Sequence, residues 1–165
     1  REYGITKCAK VVRGGESRVH SVLLAALEAG DAELLAVQDG ARPLTTPELI
    51  DEVIALAERC GAAAPAVAVK DTVKAVNSDD TVERTLDRST LRAIQTPQVF
   101  QADLLKAALQ AALESGAEIT DDCSAVERLG KTVYLTEGDE ANLKITTPTD
   151  LILAEALLRA REDGL

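Results

Sequence analysis

Apolar positions along this chain follow two alternating rhythms. From Ser17 to Ala29, Val22, Leu23, Ala26 and Leu27 recur at helical spacing. Leu34-Leu35-Ala36-Val37 is instead a continuous apolar run, read as a buried strand reaching Asp39. The helical period returns between Pro47 and Cys60, with Ile50, Val53, Ile54 and Ala57 on one stripe. Thr46 caps that helix, Pro47 takes its first position, Glu48 meets the positive end of its dipole and Gly61 ends it. Ala62–Val69 reads as a strand with Pro65 near its start or at an irregularity. Upstream, Ala9–Arg13 reads as a short strand broken by Gly14-Gly15.

From Lys70 the texture changes. Lys70–Val76, Thr81–Leu86 and Leu91–Thr96 each alternate polar and apolar residues, and polar turns separate them. Such segments read as antiparallel ribbons, so residues 70–96 are expected to form a β-arm. A lone ribbon is marginally stable in water, which makes the arm a candidate homodimer contact. Residues 101–115 return to helical spacing with Leu104, Leu105, Ala108, Leu109, Ala112 and Leu113 inward, and Gly116 ends that helix. A shorter helix spans 120–129, with Thr120 as its cap and Asp121 and Asp122 in its first turn. Favourable interaction with the helix dipole is a sufficient structural reason for both acids. Thr132–Thr136 and Asn142–Ile145 read as strands, and Thr147-Pro148 opens a last helix to about Arg161. The succession predicts one α/β domain over 1–165, with a mixed sheet, helices on both faces and a protruding antiparallel arm.

Composition narrows the function. Aromatic residues are 2% of the chain, so the core is built from Ala, Leu, Val and Ile, and a base-stacking surface is not expected. The net charge is −10 with no basic tract, which argues against nucleic acid and anionic membranes as partners. No apolar run reaches transmembrane length and no signal-peptide pattern is present, so a cytoplasmic protein is expected. Cys8, Cys60 and Cys123 have neither metal-ligand spacing nor the even number of a disulfide framework. His20 is the only histidine. An anionic substrate would therefore need a local Arg and Lys cluster, with a divalent cation.

One such cluster follows the run at Leu34–Val37. In open parallel sheets, ligands bind beyond the carboxyl ends of strands. Asp39 would stand at such an end, Gly40 would let a ligand approach the backbone, and Arg42 offers a planar fork suited to phosphate. The trio would either close a surface turn as a salt bridge or hold a metal-bound nucleotide or phosphorylated sugar. The Gly14-Gly15 turn is either an ordinary loop or a donor of backbone N–H groups to a ligand.

Several segments, in order and through nearly the whole chain, carry a resemblance. They are Gly14-Gly15-Glu16-Ser17-Arg18 with Ser21-Val22, Asp39-Gly40-Ala41-Arg42-Pro43, Val69–Lys74, Leu86-Asp87-Arg88, Gln95–Phe100, Ile119–Asp122 and Asn142–Thr146. Together they resemble the 2-C-methyl-D-erythritol 4-phosphate cytidylyltransferases of the non-mevalonate isoprenoid pathway. The resemblance implies a nucleotide-diphospho-sugar-transferase-like fold and a homodimer interlocked through the arm. It implies transfer of CMP from CTP to 2-C-methyl-D-erythritol 4-phosphate, with release of pyrophosphate and with Mg²⁺. Arg88 and Lys144 would be catalytic, orienting the attacking phosphate. Asp39, Arg42, Thr72, Arg88, Thr96, Thr120 and Lys144 would bind the alcohol phosphate. Gly15, Glu16, Ser21 and Gly40 would bind the nucleotide, and Asp39 would approach the metal. Arg88 and Thr96, on or next to the arm, would serve the partner's site. Family members begin with a strand and a basic glycine-rich loop that this chain lacks, so it is read as truncated at its N-terminus and inactive alone. Gln38, Gly40 and Cys123 are lesser departures. The alternatives are a ribitol-phosphate cytidylyltransferase of the same fold and a catalytically silent dimerisation fragment.

Overall fold

The computed structural model describes residues 4–164. Its helices begin and end where local chemistry places them. Ser17 opens α1 (Arg18–Leu27) by accepting the His20 N–H. Thr46 opens α2 (Pro47–Cys60) by accepting the Leu49 N–H, and Gly61 closes it at φ 87°. α3 (Ala102–Ser115) stops at Gly116 in the same left-handed conformation. α4 (Asp122–Arg128) is capped by Asp121, not by Thr120 as expected. The Asp121 carboxylate accepts the Ser124 N–H while the Ser124 hydroxyl accepts the Asp121 N–H, and this reciprocal box fixes the start one residue later. Thr147 and Asp150 form a second box at α5 (Pro148–Glu162).

The sheet is organised on β2 (Ala62–Ala68). One edge of β2 takes two antiparallel partners in succession: β6 (Gln98–Gln101) opposite Ala62 and Ala63, then β5 (Arg92–Ile94) opposite Ala66–Ala68. Pro65 falls in the gap between them, where its missing N–H breaks no ladder, and its carbonyl accepts the Gln95 N–H at 2.8 Å. β7 (Tyr134–Glu137) runs parallel along the other edge, and β1 (Leu34–Val37) pairs antiparallel with β6. This is the mixed sheet that the sequence predicts. Its two faces follow strand alternation. Ala62, Ala64 and Phe100 pack with Val19, Leu23, Leu105, Leu109 and Val126 from α1, α3 and α4. Ala63 and Val99 meet Val53 and Ala57 of α2 on the other face. Alanines along β2 let both helix layers approach closely.

Four further expectations change. Ala9–Arg13 forms no strand; Val11 is 87% exposed, and among the described residues no strand pairs with this segment. The arm is a two-stranded ribbon of β3 (Lys74–Val76) and β4 (Val82–Thr85), because the third alternating segment finds its backbone partners on β2 as β5. Among the described residues Asn142–Ile145 forms no ladder: the Asn142 N–H donates to the Asp139 carbonyl at 2.9 Å and the Ile145 N–H to the Ala41 carbonyl at 2.8 Å. Leu113, placed inward by its spacing, is exposed at the C-terminal end of α3. Among the described residues, no helix is long and apolar enough to cross a membrane.

Candidate active site

β1 delivers Gln38 and Asp39 at its carboxyl end, and a turn closed by the Arg42 N–H on the Asp39 carbonyl, at 3.1 Å, folds the chain back. That turn puts Asp39 and Arg42 side by side. The Asp39 N–H donates to the Thr96 hydroxyl at 3.1 Å, and Thr96 is buried. The Asp39 carboxylate lies 2.9 Å from Lys144 Nζ and 3.8 Å from Arg42 Nε. Arg42 Nη1 donates to the Asn142 carbonyl at 2.6 Å. Arg42 Nε is buried and has no hydrogen-bond partner among the described residues. Burial lowers the pKa of this guanidinium, against the opposing pull of Asp39.

Asn142 holds the assembly from beneath. It is fully buried; its Nδ2 donates to the Thr96 carbonyl at 2.9 Å and its Oδ1 accepts the Thr45 hydroxyl at 2.8 Å. Gln95 clamps the neighbouring loop, donating to the Asp139 carbonyl at 2.8 Å and accepting its N–H at 3.2 Å. Above lies a cleft of about 400 Å³ lined by Arg42, Lys70, Asp71, Gln95, Asn142 and Lys144. Arg88 stands at the base of the arm, where Nη1 donates to the carbonyl of Lys70.

The structure thus brings Asp39, Arg42, Thr96 and Lys144 into one cluster, with Arg88 bonded to a residue of the cleft wall; Thr96, expected to serve the partner's site, is instead buried against Asp39 and Asn142 of its own chain. Thr72 and Thr120 are exposed on flanking loops and take no part in these bonds. Gly40 is open: a Cβ there would meet nothing within 4 Å, so nothing within the chain demands glycine and the face is free for a ligand. Gly15, Glu16 and Ser21 form a second cluster at the start of α1. The Gly15 N–H donates to Ser21 Oγ at 3.0 Å and the Glu16 N–H to His20 Nδ1 at 3.3 Å. A Cβ on Gly15 would stand 2.3 Å from the His20 ring, so any larger residue there would have to displace the His20 side chain.

The sequence reading missed what stands between the clusters. Gln98, nearly fully buried, accepts the N–H groups of Asp122 at 3.0 Å and Cys123 at 3.1 Å, and donates to Asp121 Oδ2 at 2.8 Å. The fully buried Asp122 receives a two-point ion pair from Arg18, at 2.9 and 2.6 Å. That bond, with the fields of Asp122, Asp39 and Asp121, raises the Arg18 guanidinium further against its burial. Arg18 and Asp122 are 104 residues apart, and each alone reads as an ordinary first-turn charge. Burial, with Asp121, Asp122 and Glu127 nearby, pushes the Cys123 thiol well above its usual range, which suits an inert packing residue.

Mg²⁺ is commonly held by one or two carboxylates together with substrate phosphates. Asp39, a carboxylate beside Arg42 and Lys144 at the edge of a cleft that also carries Lys70, Asp71 and Glu140, fits that donor set. Among the described residues no three His, Cys, Asp or Glu side chains form a self-contained metal site.

The family model of 2-C-methyl-D-erythritol 4-phosphate cytidylyltransferase matches residues 3–160. The enzyme of that name from Geobacillus kaustophilus is 46% identical over 159 residues, covering 96% of this chain and 69% of its own length. The one from Caldanaerobacter subterraneus is 50% identical over 151 residues, covering 91% and 66%. The crystal structure of the Thermus thermophilus enzyme superposes with a TM-score of 0.81 at 41% identity, over 90% of this chain and 72% of that one. The Anaerococcus prevotii 4-diphosphocytidyl-2C-methyl-D-erythritol synthase gives 0.82 at 34% identity, over 91% and 70%. A family match over residues 3–160, at this identity and on this fold, places the chain in the 2-C-methyl-D-erythritol 4-phosphate cytidylyltransferase family.

Proposed function

We propose that the protein transfers CMP from CTP to 2-C-methyl-D-erythritol 4-phosphate and releases pyrophosphate. The observation that carries this reading is the buried, unpartnered Nε of Arg42 beside Lys144 and Asp39, a focused anion site in a chain of net charge −10. Both reactants are anions, so the work of the site is to position them and to neutralise charge as the acceptor phosphate oxygen attacks the α-phosphorus. Arg42 offers a desolvated donor to the acceptor phosphate, and Lys144 adds a mobile charge at the cleft mouth. Thr96 fixes the Asp39 backbone, which turns the carboxylate toward Lys144. Thr72 and Thr120 flank the acceptor from the neighbouring loops. Gly15, Glu16 and Ser21 read the base and Gly40 lies against the ribose. Asp39 would hold Mg²⁺ with the substrate phosphates; the ion, when bound, neutralises phosphate charge.

The test is pyrophosphate release by the full-length enzyme offered CTP with either methylerythritol phosphate or ribitol phosphate. Release with the first and not the second is expected. Preference for ribitol phosphate would overturn the assignment of substrate.

The arm supports a homodimer. Val76 and Val82 are 57% and 58% exposed on it, too much apolar surface for a ribbon this thin to cover alone. Packed on a twin arm, Arg88 would serve the partner's site. Mixing inactive full-length Arg88→Ala and Lys144→Ala variants should then restore part of the activity. With subunit exchange confirmed by mass, no recovery would show that Arg88 does not act across the interface.

A further inference from the structure

Four segments that carry the proposed ligand residues are joined by one polar chain, buried at Thr96, Gln98 and Asp122 and reaching the surface at Arg18. It starts at Asp39, whose N–H is held by the Thr96 hydroxyl. Two residues on, Gln98 spends its whole side-chain amide on the first turn of α4, directly after Thr120 and Asp121. The next residue of that turn, Asp122, is fully buried, and among the described residues its carboxylate meets one cation, Arg18. Arg18 is the first residue of α1, directly behind Gly15 and Glu16. Those two donate their N–H groups to Ser21 and His20 of the same helix, so their loop moves as one body with the end of α1.

The apolar packing of α1 against α3 and the sheet restricts the crossing angle only to a range. A fork-to-fork guanidinium–carboxylate pair fixes an angle within it. Here the carboxylate is buried and the guanidinium reaches solvent; ion pairs with a buried partner add little net stability over an apolar replacement, and their best-attested use is in fixing register.

We propose that Arg18, Asp122 and Gln98 are positioning residues that hold the Gly14–Ser17 loop in register with the Asp39–Thr96 side, so that the nucleotide and the acceptor phosphate meet at the required separation. This rests on the function proposed above. It also separates two roles for Arg18. Charge compensation needs only a cation, whereas orientation needs both bonds.

Lysine supplies the charge without the fork, so Arg18→Lys is the diagnostic variant, with Asp122→Asn as the second. In the full-length enzyme, Arg18→Lys should keep its melting temperature close to the parent's while KM for both substrates rises about tenfold, in the range typical of coupled contacts. Amide exchange at Gly15 and Glu16 should accelerate in both variants, although Asp122 lies on another helix. Recovery of both KM values to within about twofold of the parent by Arg18→Lys would reduce the pair to charge compensation and overturn the proposal. Unchanged exchange at Gly15 and Glu16 in both variants would overturn it independently. A parent enzyme that transfers no cytidylyl group would refute the proposed function instead, and the exchange measurement would still decide the positioning role.

Discussion

Lys144→Ala in the full-length enzyme should lower turnover by about a hundredfold or more, the usual scale for removing one contact that stabilises transition-state charge. Lys144 is about half exposed, and its only salt bridge among the described residues is with Asp39 at the cleft mouth. Partly exposed pairs contribute about 0–1 kcal/mol to folding. A hundredfold in rate corresponds to about 2.7 kcal/mol at the barrier. The two magnitudes separate the roles: the catalytic loss should be large and the melting temperature nearly unmoved. Removal of Lys144 leaves Arg42 held by the Asn142 carbonyl at 2.6 Å and the Asp39 backbone held by Thr96 at 3.1 Å, so the cleft keeps its shape but loses a cation. Near-normal turnover at saturating CTP and acceptor would take Lys144 out of the catalytic set.

Phe100→Ala should destabilise the fold by about 3–5 kcal/mol. Phe100 is the one phenylalanine of the chain and is fully buried in β6, opposite Leu35 on β1 and Ala62 on β2. Its neighbours on β2 are alanines, whose short side chains cannot lean into the space its ring would vacate. Domains of this size hold about 5–15 kcal/mol in total, so the loss would consume a large part of the margin. Denaturant titration reads the effect directly as a shift of midpoint at constant slope. A shift worth less than about 1 kcal/mol would mean that α1 and α3 collapse onto the vacancy, and that the core is more yielding than its packing indicates.

The helices were legible because their limits are written locally. Thr46, Pro47 and Gly61 state the ends of α2 without reference to anything distant. Strand partners are not written that way. Leu91–Thr96 alternates like the rest of the arm, and only the open edge of β2 decides that it leaves the arm. Ala9–Arg13 has the composition of a strand, yet a strand needs a neighbour to pair with. Of the site, the turn from Asp39 to Arg42 could be read directly, because three consecutive steps bring both charges together. Asn142 and Gln98 could not. A buried amide is defined by what surrounds it, and Asn142 meets Thr45 and Thr96 from 97 and 46 residues away. The Thr120 cap failed for a smaller reason: two adjacent residues were chemically able to cap α4, and the reciprocal bond with Ser124 chose Asp121.

The short run from Gln95 to Gln98 carries a consequence for how the gene can vary. Gln95 grips the loop at Asp139, Thr96 grips Asp39, and Gln98 grips α4. Three polar side chains within four residues thus serve three different neighbours, from the bend that joins β5 to β6 and the first residue of β6. An inserted or deleted codon here would hand every one of them the wrong address at once. The same change in the Asn77–Asp80 turn would alter only the reach of a ribbon. Length polymorphism among natural and engineered versions of this chain should therefore gather at the tip of the arm and be excluded from its root, although the two lie fewer than twenty residues apart.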